Sequence, residues 1–181
     1  MIENFSTQLA DIHDPNISAS VWHLVKMCDK EFVPPLSSRN STVSRNLKNE
    51  LLITIDEPVT YFEMLKTQYL LIARYLNAIV GFMSFRNRYS ADELNGWNPS
   101  NYITTICIDK NYRKLGIGSA LYRTILNRLP NELKCDFTST RTWEGNDQHL
   151  VLLRSIGFHL VYYAENDRGL GIGSMYWAKR L

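Results

Sequence analysis

The sequence is poor in cysteine, and its charges of opposite sign almost balance. The three cysteines, Cys28, Cys107 and Cys135, are far apart in apolar surroundings and therefore form neither a disulfide framework nor a zinc-binding pattern. The 20 basic and 18 acidic residues are spread along the chain and leave a formal net charge of +2. This charge distribution argues against a nucleic-acid partner, and the cysteine pattern agrees with a reducing cytoplasm.

The chain also lacks a long uninterrupted apolar run. Its first residues show no basic stretch followed by an apolar one, and the most apolar window, Tyr69 to Phe85, is broken by Arg74, Asn77 and Gly81. We therefore expect a soluble, cytoplasmic protein that does not bind membranes. With 181 residues, 45% of them hydrophobic, residues 1–181 are predicted to form a single domain with a sizeable core.

The stretch from Tyr102 to Leu129 predicts a strand that runs into a helix. A β-branched run from Ile103 to Ile108 is typical of a strand, and apolar residues recur at helical spacing from Ile117. Between them lies Arg113-Lys114-Leu115-Gly116-Ile117-Gly118, where two glycines permit a close approach of the backbone. Free amides in the first helical turn, at the positive end of the helix dipole, favour a phosphate or pyrophosphate ligand.

The rest of the chain alternates between helical and strand patterns. Residues 5–9 are a candidate first strand, and Asp14-Pro15 starts a helix that runs to about Phe32. The polar segment 37–49 is predicted to be a loop or marginal helix that could line a substrate entrance, whereas 51–55 is too short to assign. Before the central strand, the sequence predicts a helix from Asp56-Glu57-Pro58 to about Thr67, a hairpin of two strands at 69–75 and 79–85, and a loop at 87–100. After the central helix, it predicts a strand at 135–143 that lies parallel to the central strand, and then a helix from Asn146 to before Gly157. The last two predicted strands are 158–164 and 175–178.

A second glycine-rich segment, Arg168-Gly169-Leu170-Gly171-Ile172-Gly173, superficially copies the first. A strand pattern follows it, so no helix N-terminus is available to gather free amides. We therefore interpret it as a hairpin connection and not as a second phosphate site.

The element order β-α-α-β-β-β-α-β-α-β-β, with Arg113-x-x-Gly116-x-Gly118 before the third long helix, resembles the GNAT superfamily of N-acetyltransferases, in particular its small single-domain bacterial-type members. A second match is the spacing from Asn146 to Gly157-Phe158, which is similar to the next helix of that family. The resemblance covers about residues 69–178. It implies a mixed α/β (α+β) fold, in which about four helices flank a mostly antiparallel six- to seven-stranded sheet that is splayed between its fourth and fifth strands.

This resemblance implies acetyl-coenzyme A as co-substrate and no metal. Pyrophosphate would lie on the amides of Lys114 to Ser119, and the pantetheine arm would pair with strand backbone near Ile106 and Ile108. Asn146 would bond the same arm, unless it acts only as a helix cap. The predicted cofactor-binding residues are Ile106, Cys107, Ile108, Arg113, Lys114, Leu115, Gly116, Ile117, Gly118, Ser119 and Asn146.

Two departures from the family pattern leave the catalytic acid and base open. Tyr102 stands where many members carry a glutamate, and Leu153 stands where many carry a proton-donating tyrosine. His149 lies one helical turn before Leu153, on the face expected to look towards the cofactor, and imidazole titrates near neutrality. His149 is therefore the first candidate for proton transfer and Tyr102 the second, although His149 could instead only contact the coenzyme or neighbouring backbone.

The leading hypothesis is an N-acetyltransferase in which the amine of a small molecule or peptide attacks the thioester directly. A non-catalytic acyl-coenzyme A binding or sensing module is the alternative, because the usual glutamate and tyrosine are missing. Either could be a monomer or a homodimer. The candidate contacts of the amine are Glu31, Tyr102, Arg141, Trp143 and the segment from Glu165 to Arg168.

A dinucleotide-binding oxidoreductase is a third hypothesis. Asp136 follows Gly116 by twenty residues and could bind a ribose. In that fingerprint, however, the first glycine directly follows the strand, whereas seven residues separate Ile108 from Gly116 here. The spacing therefore disfavours this class.

Overall fold

Seven strands form one sheet in the residues that the computed structural model describes, 5–39 and 57–181. The strands are β1 (Phe5–Ala10), β2 (Tyr69–Tyr75), β3 (Ala78–Tyr89), β4 (Ser100–Ile108), β5 (Phe137–Trp143), β6 (His159–Ala164) and β7 (Ser174–Arg180). Their spatial order is β1-β2-β3-β4-β5-β7-β6, and only the β4–β5 pair is parallel among these described strands. The predicted fold class and element order are confirmed.

Four α-helices flank this sheet in the described residues, namely α1 (Pro15–Cys28), α2 (Val59–Leu65), α3 (Ile117–Asn127) and α4 (Asp147–Ser155). Helix α1 begins where predicted because Asp14 Oδ1 accepts hydrogen bonds from the backbone nitrogens of Asn16 and Ile17, at 2.9 and 3.1 Å. Gly157, with φ +83°, takes the left-handed conformation predicted after α4. Within these ranges no helix has the length and apolar character needed to cross a lipid bilayer.

The helices cover both faces of the sheet. Helices α1 and α2 pack on one face, where Val21 and Phe82 are fully buried in a common apolar cluster. Helices α3 and α4 pack on the other face, where Leu121 and Leu153 are fully buried. The central strands therefore have an apolar core on each side, which stabilises their position.

A β-bulge at Thr104 marks the point where β4 leaves β5. Residues 84 and 85 of β3 pair with Thr105 and Ile103, so Thr104 is an extra residue on β4. The pairing of β4 with β5 ends at Ile103 and Thr140, next to the bulge. Because a bulge bends a strand and increases its twist, β4 turns away from β5 beyond this point. The predicted splay between the fourth and fifth strands is confirmed.

Several element ends differ from prediction. Helix α1 ends at Cys28 and not at Phe32 because a 3₁₀ turn at Asp29–Glu31 follows it, and α3 ends at Asn127. Strand β3 continues into the predicted loop 87–100, since its residue Tyr89 is still paired with β4. The predictions for residues 40–49 and 51–55 lie outside the described residues.

Leu153 and Val151 of α4 offer a matched test of this packing. Leu153 is fully buried, whereas Val151 is 63% exposed. We expect Leu153→Ala to lower the free energy of unfolding by about 2–5 kcal/mol, because it leaves a cavity between α4 and the sheet. Val151→Ala should change it by less than about 0.5 kcal/mol. Urea unfolding measures both values, and equal effects would contradict the packing of α4.

Candidate functional site

A cleft of about 610 Å³ opens where β4 and β5 diverge. It is lined by β4, the loop before α3, the start of α4, the end of β5, and the segments that follow α1 and precede β7. Cys107 and Leu115 are the predicted cofactor-binding residues that do not line it. The predicted residues that do are Ile106, Ile108, Arg113, Lys114, Gly116, Ile117, Gly118, Ser119 and Asn146.

The loop before α3 presents backbone amides to this cleft. Gly116 has φ +84°, a conformation that strains other residues, and stands directly before the helix. Ala120 N donates to Gly116 O at 3.0 Å, but no hydrogen bond joins the amides of residues 114–119 to any described residue. Free amides at the positive end of a helix dipole can bind an anion.

Arg113 ties this loop to the end of β4. Its Nε donates to the carbonyl oxygen of Ile108 at 3.0 Å, and its Nη2 lies 2.8 Å from Glu31 Oε2. The sequence alone indicated a charge beside the loop, and the fold directs this charge towards Glu31. Because the ion pair is partly exposed, its main effect is on the position of the guanidinium and not on stability.

Beyond the bulge, β4 turns one backbone edge towards the cleft. Asp109 N donates to Val80 O of β3 at 2.9 Å, and backbone groups of successive strand residues point to alternate sides. The N–H and C=O groups of Ile106 and Ile108 therefore point away from β3, towards the cleft. Cys107 instead pairs with β3, and its side chain is 2% exposed, which explains why it does not line the cleft.

The start of α4 brings Asn146 to the cleft. Asn146 occupies the predicted N-cap position, but its side chain makes no capping hydrogen bond. Its Nδ2 donates instead to Thr142 Oγ1 of β5 at 3.1 Å. Asn146 therefore stands at the predicted start of α4, and the alternative in which it acts only as a helix cap has no capping hydrogen bond to support it.

His149 lines the same cleft and is hydrogen-bonded to a buried tyrosine. Its Nε2 lies 2.8 Å from Tyr122 Oη. Burial lowers the pKa of His149 to about 4, so its imidazole is neutral at pH 7. The protonated fraction at pH 7 is then roughly one in a thousand, so His149 can accept a proton but is a poor donor.

Tyr102 and Leu153 lie outside the cleft lining. Tyr102 is 3% exposed, and its ring centroid lies 4.6 Å from that of Tyr89. Burial raises the pKa of Tyr102, so its phenol remains protonated. The described residues contain no group of three or more side chains suited to hold a metal ion.

Arginine side chains line the side of the cleft that lies away from α3. Arg141 comes from β5 and Arg168 from the β6–β7 connection, while Arg39 follows α1. The sequence indicated Arg141 and Arg168 only as separate candidates, and it did not distinguish Arg39 within the polar segment 37–49. No spacing could have linked residues from three distant segments.

Several solved structures share this fold. They include a protein of Bacillus anthracis str. Ames in complex with acetyl coenzyme A, at 21% identity and a TM-score of 0.52 over 63% of this chain and 62% of that one. YncA from Salmonella typhimurium with its cofactor acetyl-CoA matches at 13% identity and a TM-score of 0.62, over 98% and 94% of the chains. The ribosomal-protein-alanine N-acetyltransferase of Brucella melitensis matches at 17% identity and a TM-score of 0.59, over 97% of this chain and 99% of that one.

These identities establish the fold alone, and no curated protein matches the sequence. The family model of the GNAT acetyltransferases, however, matches residues 45–158, which is more than half of the chain. The divergent β4–β5 pair and the glycine loop before α3 agree with that match. The chain therefore belongs to the GNAT family of acetyltransferases.

Proposed function

We propose that the protein is an N-acetyltransferase that transfers the acetyl group of acetyl-coenzyme A to a primary amine of a small molecule or peptide. The observation that carries this proposal is the presence of free amides at residues 114–119 and an open β4 edge in one cleft. The family match and two acetyl-CoA complexes of the same fold support it. The proposal treats residues 1–181 as one catalytic domain that works in the cytoplasm as a monomer or homodimer.

Three groups of this chain would hold the co-substrate. The amides of Lys114 to Ser119 would bind the pyrophosphate, with the α3 dipole adding to the attraction. The backbone of Ile106 and the amide of Ile108 would pair with the amides of the pantetheine arm as an added strand. Asn146 would bond the same arm from the facing wall.

Acetyl-coenzyme A supplies an activated acetyl group, and the chain supplies orientation, a proton acceptor and donors for the developing oxyanion. His149, neutral at pH 7, would accept the proton of the attacking amine. Burial makes this imidazole a weak base, so orientation would provide most of the acceleration. A thiol pKa of about 8.5 lets the thiolate leave without a dedicated acid. The proposal gives no role to Tyr102, which is buried and does not line the cleft.

A non-catalytic acyl-coenzyme A module is the second candidate. It is favoured by the weakness of both sequence-predicted proton-transfer groups, since burial lowers the pKa of His149, which makes it a weak base, and raises the pKa of Tyr102, which makes it a weak acid. An oxidoreductase has less support, because Asp136 lines a separate small cavity together with Asn101 and Leu181.

Release of free thiol in the presence of a panel of amines distinguishes transferase from binding module. The transferase should turn over with at least one amine, and His149→Ala should lower kcat by about 10²-fold with nearly unchanged affinity for the cofactor. Tight cofactor binding without turnover of any amine would support the binding module instead.

Gly118 tests the proposed pyrophosphate site. A Cβ added there would meet Ile108 Cδ1 at 3.5 Å and Leu152 Cδ2 at 3.6 Å, which are ordinary contacts, so Gly118→Ala should fold. Gly118→Glu should weaken acetyl-coenzyme A binding by about 100-fold or more, because a carboxylate would stand beside the free amides and repel phosphate. Calorimetry with Gly118→Ala and Gly118→Gln as controls separates charge from size. An unchanged Kd for acetyl-coenzyme A in a folded Gly118→Glu variant would contradict the proposed pyrophosphate site.

The lowered pKa of the half-buried His149 also predicts how stability depends on pH. The pKa of His149 falls from its ordinary 6.5 to about 4 on folding, so the unfolded chain binds more protons in this interval. The contribution of His149 to stability is therefore present above pH 6.5 and is lost as the pH falls towards 4. His149→Gln removes the titration, so its free energy of unfolding should fall less over this interval. An equal dependence of the free energy of unfolding on pH in both proteins, measured by urea unfolding, would contradict the lowered pKa of His149.

A further inference from the structure

Arg39, Arg141 and Arg168, called here the arginine cluster, meet on one side of the cleft. The carbonyl oxygen of Val33 joins two of them, since it accepts hydrogen bonds from Arg39 Nη2 at 3.3 Å and Arg168 Nη1 at 2.6 Å. The segment after α1 and the β6–β7 connection are thereby held together next to β5. The cluster is thus a fixed feature of the cleft wall.

The groups that position Arg39 and Arg168 are neutral. Arg39 Nε donates to the carbonyl oxygen of Pro34 at 3.0 Å, and Arg168 Nε donates to Ser174 Oγ at 2.7 Å. Carbonyl and hydroxyl oxygens orient a guanidinium but do not cancel its charge. Both side chains are partly buried and line the cleft, so their positive charge acts on whatever enters it.

Arg141 completes the cluster and has a carboxylate nearby. Its Nη1 lies 3.3 Å from Asp167 Oδ2, and both side chains are only 8% exposed. Burial and repulsion from Arg141 and Arg39 lower the pKa of Arg168 to about 10, so it remains charged at pH 7. The three guanidinium groups therefore repel one another across a partly desolvated wall, and a bound anion would relieve that repulsion.

The position of the cluster indicates the size of the acceptor. Arg141 follows Thr140, the last residue of β5 that pairs with β4. An anion held there would lie close to the point where the strands separate, beside the β4 backbone proposed to bind the pantetheine arm. A short molecule could therefore reach both places.

We propose that the arginine cluster binds an oxyanion, a carboxylate or a phosphorus oxyanion, of the acceptor, so that the acceptor is a small amine carrying an anionic group. The inference rests on the proposed acetyl transfer in the same cleft. Guanidinium groups suit such oxyanions because their planar forks can donate two parallel hydrogen bonds. Polyamines and other polycationic acceptors would be repelled.

Two matched pairs of amines test the inference through thiol release. L-Leucine is compared with L-leucinamide to test recognition of a carboxylate. 3-Aminopropylphosphonate is compared with 1,3-diaminopropane to test recognition of a phosphonate. We expect at least one anionic member to exceed its partner by about 10-fold or more in kcat/KM. Leucinamide has the less basic amine and thus more of the reactive free base, so chemistry alone would favour the amide.

Variants of the arginine cluster test whether these side chains cause the preference for anionic acceptors. Arg168→Gln and Arg39→Gln should each lower kcat/KM for the preferred anionic acceptor by about 10- to 100-fold, mainly through KM. Neutral and cationic acceptors should change by less than about threefold, and Arg168→Lys should recover part of the loss. Arg123→Gln removes the same charge from an exposed position on α3 and should leave all values unchanged. Thermal unfolding checks that each variant is folded.

The outcomes separate the two proposals. Loss of equal size for anionic and non-anionic acceptors in Arg168→Gln, or the absence of a preference for the anionic member in both pairs, overturns the inference and leaves acetyl transfer standing. Failure to bind acetyl-coenzyme A in calorimetry overturns the proposed function. If no amine reacts, calorimetric titration of the coenzyme A complex with 3-aminopropylphosphonate and with L-leucine tests whether the cluster binds an anionic amine. Binding that weakens in Arg168→Gln supports the inference, and absence of binding overturns it.

Discussion

The divergence of β4 from β5 is the constraint on which the rest of the site depends. A parallel pair would normally continue along both strands, but the extra residue Thr104 bends β4 just where its pairing with β5 ends. The backbone of Ile106 and Ile108 is thereby left without a strand partner on the cleft side. Buried backbone groups need hydrogen-bond partners, so this edge is suited to a ligand that carries amides. The apolar cores on both faces hold the sheet in place while one seam stays open.

The two sides of the cleft differ in the kind of positive potential they offer. Next to α3 the potential comes from backbone amides and a helix dipole, together with the charges of Lys114 and of Arg113, the latter paired with Glu31. Across the cleft it comes from the full charges of Arg39, Arg141 and Arg168, held by neutral acceptors and by Asp167. A site of this kind can accommodate two anions, one at each side, and leave the region between them for the reacting groups.

Proton transfer is the least developed part of the site. Burial keeps His149 neutral, and the same cause keeps the phenol of Tyr102 protonated. Neither group is matched to a proton transfer at neutral pH as well as a glutamate or tyrosine with a tuned pKa would be. In our proposal, catalysis by this chain therefore relies on placing an already nucleophilic amine beside an activated acetyl group.

Local signals in the sequence determined the elements and the glycine loop before α3. Asp14 caps α1 and Gly116 takes a positive φ because these features depend only on neighbouring residues. The order of elements was likewise readable from periodicity and from the resemblance to a known family. Only the tertiary structure decided that Arg39 and Arg168 share the carbonyl of Val33, that Arg113 is directed to Glu31 and that His149 is half-buried beside Tyr122. The physical reason is that hydrogen bonding and desolvation between distant segments depend on the packing of the sheet, which no spacing along the chain encodes.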